Sequence, residues 1–66
     1  MKNFEEFLDK NNIDYRIEYN DIRKFYFIKY NRGKRNLILN RAKRYKKYIG
    51  YDFRCNYEVI CLMFTK

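Results

Sequence analysis

The chain has 66 residues, a formal net charge of +8, and 47% hydrophobic residues among which are eight Tyr and six Phe. So short a chain makes one domain, residues 1–66, and buries only about 60% of the surface its unfolded form exposes; a large core is excluded and aromatic rings must supply much of the packing. With no His, no Ser and a single Thr at Thr65, Ser/His and Cys/His nucleophile pairs are excluded, and the two glycines, Gly33 and Gly50, cannot build a phosphate loop.

Asn3 is placed to cap a helix, with Glu6 reaching back as in a capping box and Phe4, Phe7 and Leu8 forming an apolar stripe. Asn11-Asn12 ends this helix, because Asn tolerates the left-handed conformation. The stripe is expected to cover the sheet face that carries Val59, Cys61 or Met63. From Tyr15 the period becomes two: Tyr15, Ile17 and Tyr19 alternate with Arg16, Glu18 and Asn20, a half-buried strand followed by a turn at Asn20-Asp21.

Arg23 to Tyr30 predicts a second strand, Asn31-Arg32-Gly33-Lys34 a hairpin turn with Gly33 at positive φ, and Arg35 to Asn40 a third strand. Asn40 to Gly50 predicts a short basic helix, capped by Asn40 and closed by Gly50, with Ile38, Ala42, Tyr45 and Ile49 inward. An extended reading also fits, because Tyr45, Lys47 and Ile49 alternate. Tyr51, Phe53, Cys55, Tyr57, Val59, Cys61 and Met63 then share one parity over a long strand, apolar on both faces in its second half and therefore central. The expected fold is α+β: an N-terminal helix packed on a small three- or four-stranded antiparallel sheet, with a short basic helix before the last strand.

Cys55 and Cys61 lie about 20 Å apart if their segment is extended, too far for a disulfide or a shared zinc ion, and read as free thiols. The N-terminal MKNFEEFLDK has acids where a signal segment would be apolar, and the longest apolar run, VICLMF, is too short to span a bilayer. A cytoplasmic protein without cofactor, metal or membrane partner is the expectation.

Charge is segregated along the chain. Residues 1–22 carry net −3 and residues 48–66 none, whereas residues 23–47 hold eleven basic side chains and no acid. A solubilising surface normally mixes both signs, so this block predicts a phosphate-facing element. The candidate contacts are Arg32, Lys34 and Arg35 in the turn and Arg41, Lys43, Arg44, Lys46 and Lys47 in the basic helix. Tyr26, Tyr30, Tyr45 and Tyr48 are candidates for stacking on unpaired bases. The alternative for each Tyr is core packing with its hydroxyl at the rim.

These features point to a small, basic, non-enzymatic nucleic-acid-binding protein that contacts the phosphate backbone through residues 23–47, with RNA or single strands favoured, either free-standing or within a ribonucleoprotein. The same patch would also suit an inhibitor or adaptor, for example an anti-CRISPR-like protein of a phage or mobile element, that binds an acidic protein surface or a nucleoprotein complex. The abundance of Lys, Asn, Ile, Tyr and Phe, all with AT-rich codons, fits such a source. A metal-free ribonuclease built from Lys, Arg, Tyr and Glu would need a core and a preorganised site in 66 residues, and is disfavoured.

Overall fold

The computed structural model describes residues 2–30, 32–54 and 58–66, with Lys2 and Arg32 described by their backbone alone. The chain runs α1 (Lys2–Lys10), β1 (Asp14–Tyr19), β2 (Arg23–Lys29), a 3-10 turn (Arg32–Lys34), α2 (Arg35–Ala42), β3 (Tyr48–Arg54) and β4 (Val59–Thr65). The α+β class is as expected: an N-terminal helix, a four-stranded antiparallel sheet and a short second helix.

Sheet order is β1-β2-β4-β3, each neighbour antiparallel. Thus β2 and β3 run parallel with β4 inserted between them, and α2 is the crossover that joins them. The sequence explains who sits in the middle. Phe25–Ile28 and Val59–Phe64 are apolar at consecutive positions, whereas β1 alternates with the charges Asp14, Arg16 and Glu18 and so tolerates an edge. At the other edge, a register shift between Tyr48 and Gly50 bulges β3 and leaves Ile49 exposed.

Both helices cover one face. Phe4 and Leu8 of α1 and Ile38, Leu39 and Ala42 of α2 form a single core with Tyr26, Ile28, Ile60, Leu62 and Phe64. Phe4, wholly buried, has the rings of Tyr26, Tyr45, Phe64 and Phe7 at 5.2, 5.7, 5.6 and 6.1 Å. The helix stripe therefore meets the Ile60/Leu62/Phe64 side of β4, opposite in parity to the expected Val59/Cys61/Met63 side.

Three local expectations hold. Asn12 has φ 56° after α1, the Asn20 Oδ1 accepts from the Ile22 and Arg23 N–H groups at 3.0 and 2.7 Å, and β4 is central. Others are corrected. Helix α1 already includes Asn3, so Asn3 is not its cap. Arg35 to Asn40 lies in a helix and not in a strand, the segment Arg32–Lys34 is a 3-10 turn, and no described glycine has positive φ, so there is no hairpin at Gly33. Asn40 is interior to α2, and Gly50 lies within β3, so neither bounds a helix over residues 40–50. The single long strand over residues 51–63 is two strands, β3 and β4, and Cys55 lies outside the described residues. Cys61 is a buried free thiol, pushed up from its ordinary pKa by burial, as befits a packing residue.

Candidate nucleic-acid interface

Helix α2 has eight residues, about 12 Å of rise, and its two ends reach opposite ends of the sheet. At its start the Arg35 guanidinium lies 6.0 Å from the Phe53 ring centre. At its finish the chain turns through residues 43–47 into Tyr48, which pairs with Phe64, and the Lys47 carbonyl accepts from the Thr65 N–H at 2.8 Å. The basic residues that the sequence groups together are thus divided.

Lys43, Arg44, Lys46 and Lys47 are all exposed. Among the described residues none of the four makes an ion pair or a side-chain hydrogen bond. A structural use for them exists, since cations near a helix C-terminus complement its dipole. Yet backbone donors already serve that end: the Lys43, Arg44 and Tyr45 N–H groups donate to the carbonyls of Leu39, Arg41 and Ala42. The side chains are left to solvent. The same end of the sheet carries Arg23 and Lys66, with the Lys66 ammonium 5.5 Å from the Tyr19 ring centre, and one exposed acid, Asp21.

The remaining candidates are placed differently. Lys34 is half-buried and donates to the Asn11 carbonyl at 2.6 Å, which ties the 3-10 turn to the end of α1. The Arg41 guanidinium covers the Phe7 ring at 5.2 Å, between the helices. The side chain of Arg32 lies outside the described residues. Tyr26 is wholly buried and cannot stack on a base; its place among the expected contacts is corrected. Its phenol is pushed up by burial, with the Lys24 ammonium opposing, and among the described residues its hydroxyl has no hydrogen-bond partner. Tyr30, Tyr45 and Tyr48 are half-buried against the core, in keeping with rim packing.

The opposite face of the sheet is bare. In one row across the strands lie Arg16, Phe27, Cys61 and Asp52; in the next, Asp14, Lys29, Val59 and Arg54; in a third, Glu18, Phe25, Met63 and Gly50. An apolar stripe from β2 and β4 is therefore flanked by charged edges, and neither α1 nor α2 covers it. Sequence reasoning misses this surface because β2 is apolar on both parities, so nothing in the pattern says which face the helices leave open. Among the described residues no cluster of His, Cys, Asp or Glu could hold a metal ion, and no helix is long and apolar enough to cross a membrane.

The class defined here is a two-layer α+β domain with both helices on one side of a four-stranded sheet, a bare sheet face and a strongly basic end. No known family, characterised protein or solved structure matches the chain.

Proposed function

We propose that the protein is a non-enzymatic nucleic-acid binder that grips the phosphate backbone at its basic end, with RNA or single strands favoured. The observation that carries this reading is the set Lys43, Arg44, Lys46 and Lys47: four exposed cations in five positions with no described anionic partner. Cations held on a folded scaffold release counterions from a polyanion when they contact it, and that gain needs no base-specific geometry.

The test is a titration of labelled RNA, single-stranded DNA and duplex DNA at several salt concentrations. Replacing Lys43, Arg44 and Lys47 by Gln should leave the melting temperature nearly unchanged, because exposed charges contribute little to stability. Binding should weaken for every sequence alike, and the log-log salt slope should become shallower by about 0.7 to 0.9 per lost contact. Neutralising Lys2 and Lys10, from the acidic N-terminal segment, should do much less per charge. Equal effects per charge from both sets would reduce the reading to net charge alone, and no effect from either would direct the search to an acidic protein surface.

A further inference from the structure

We propose that the concavity at the Lys29/Arg54 corner of the bare sheet face is a nucleotide subsite: an unpaired base stacks on Phe27 while its phosphate sits between Lys29 and Arg54. This rests on the nucleic-acid reading above but uses a different surface.

The concavity has a volume of about 470 Å³, within the range of roughly 300 to 1,000 Å³ that small-ligand sites occupy. Its floor is Phe27 and Val59, and its rim holds Arg16, Lys29 and Arg54 against one acid, Asp14. Glu18 and Asp52 pair with Arg16 and Arg54 at 2.8 and 3.7 Å, so the cation open to a ligand's negative charge is Lys29, with the terminal nitrogens of Arg54 beside it. An aromatic floor in the middle of that rim suits a ligand with a flat ring as well, and a nucleotide supplies both.

The cations are free to turn to a ligand. Lys29 is exposed and in no ion pair among the described residues. Among the described residues Arg54 meets Asp52 through its Nε at 3.7 Å, and the terminal nitrogens of its guanidinium remain available for a further contact. Lys29, Val59 and Arg54 lie in one row on adjacent strands, so Lys29 and Arg54 are about 10 Å apart at Cα. Their long side chains can close over Val59 on a phosphate. The Arg16 guanidinium rests 5.1 Å from the Phe27 ring centre and pairs with Glu18 at 2.8 Å, with 71% of its side chain exposed. Exposed pairs of this kind contribute little, so a base can take its place on the ring. Phe25, its ring 6.5 Å from Phe27 along the same strand, extends the platform toward a second base.

The rival occupant of a bare apolar stripe is a second copy of the chain. That would bring two molecules of net charge +8 together, and such charge keeps proteins apart. An anionic strand removes the same repulsion.

The probes are a short oligouridylate, a short oligothymidylate and a DNA duplex, titrated against wild type, Phe27→Leu, the Lys29→Gln/Arg54→Gln pair, and the Lys43/Arg44/Lys47 Gln variant. Leu keeps an apolar side chain at position 27 and removes the ring. Phe27→Leu should lose roughly fivefold or more on both single strands and stay within about twofold of wild type on the duplex. The Lys29/Arg54 variant, exposed at both positions, should show the same selectivity and serves if Phe27→Leu does not fold. Single-strand affinity unchanged in the Lys29/Arg54 variant, or lost equally on single strands and duplex, overturns the subsite. The result for the Lys43/Arg44/Lys47 variant is read separately, so either surface can fail without the other. A wild-type dimer in sedimentation that Phe27→Leu dissociates would assign the face to a second copy and also overturn the proposal.

Discussion

Tyr26 combines two facts that pull in opposite directions: its ring is at the centre of the core, and its hydroxyl is buried without a partner among the described residues. The ring is well placed, edge-on to Phe4 at 5.2 Å and to Phe64 at 5.4 Å, an arrangement that adds to simple burial. The hydroxyl is a liability, since a buried polar group without a hydrogen bond costs about 1 to 3 kcal/mol. Tyr26→Phe keeps the ring and removes the liability. It should leave urea stability unchanged or raise it by about 1 kcal/mol, and nucleic-acid affinity should not move, because the side chain is inaccessible. The nearest cation, the Lys24 ammonium, lies 5.0 Å from the ring centre. A loss of more than about 1 kcal/mol in Tyr26→Phe would mean that Lys24 holds the hydroxyl in solution.

At the scale of elements, a basic residue that its position in sequence assigns to binding ties the 3-10 turn to the chain just past α1. The Lys34 ammonium, donating to the Asn11 carbonyl at 2.6 Å, joins segments twenty-three residues apart. Lys34→Met keeps most of the aliphatic stem and removes the charge-assisted bond, so it should destabilise the fold by about 1.5 to 3 kcal/mol. It should alter the salt slope of binding little; a stable variant with a shallower slope would return Lys34 to the binding surface. The elements legible in the sequence are those fixed locally: the apolar spacing of Phe4 and Leu8, the left-handed Asn12, the alternation of β1 and the Asn20 turn. Helix α2 was not legible. It has no side-chain cap at Lys34 and no acid in its first turn, and Leu37-Ile38-Leu39 reads as a strand. Leu37 is in fact 45% exposed while Ile38, Leu39 and Ala42 are buried, a face that exists only because α2 lies on the sheet. The basic cluster at residues 43–47 was legible because charge needs no tertiary contact to be seen. Its separation from Arg35, and the bare Phe25/Phe27 face, follow from how the helices cross the sheet, and no local pattern encodes that.

At the scale of the whole molecule, the heavy use of tyrosine couples stability to alkaline pH. Tyr26, Tyr15 and Tyr48 all have phenols pushed above their ordinary value, in each case first by burial; Asp9 and Glu5 add to the effect at Tyr15, and Tyr51 at Tyr48. In the unfolded chain these phenols ionise near pH 10. Below that pH both states are protonated, and the fold keeps its full stability. As the pH rises past about 10, the unfolded chain releases protons that the folded chain still holds, so the unfolded state binds fewer protons and unfolding becomes easier. The loss continues until the pH exceeds the raised native values. Lys24 acts in the same direction: desolvation works against its charge, but the neighbouring Tyr26 phenol and Glu5 carboxylate outweigh it and raise its pKa. Opposing this, neutralisation of surface lysines relaxes the self-repulsion of a chain with net charge +8. Exposed charges interact weakly and are screened by salt, whereas the Tyr26 phenol is held in the packed interior and those of Tyr15 and Tyr48 are partly buried against it. The buried groups should therefore win. Thermal melts followed by circular dichroism should show constant or rising stability from pH 7 to about 9.5 and a steep fall above about 10. The fall should be shallower in Tyr26→Phe, which removes the most deeply buried of the phenols; an identical fall in that variant would show that Tyr26 does not contribute to it.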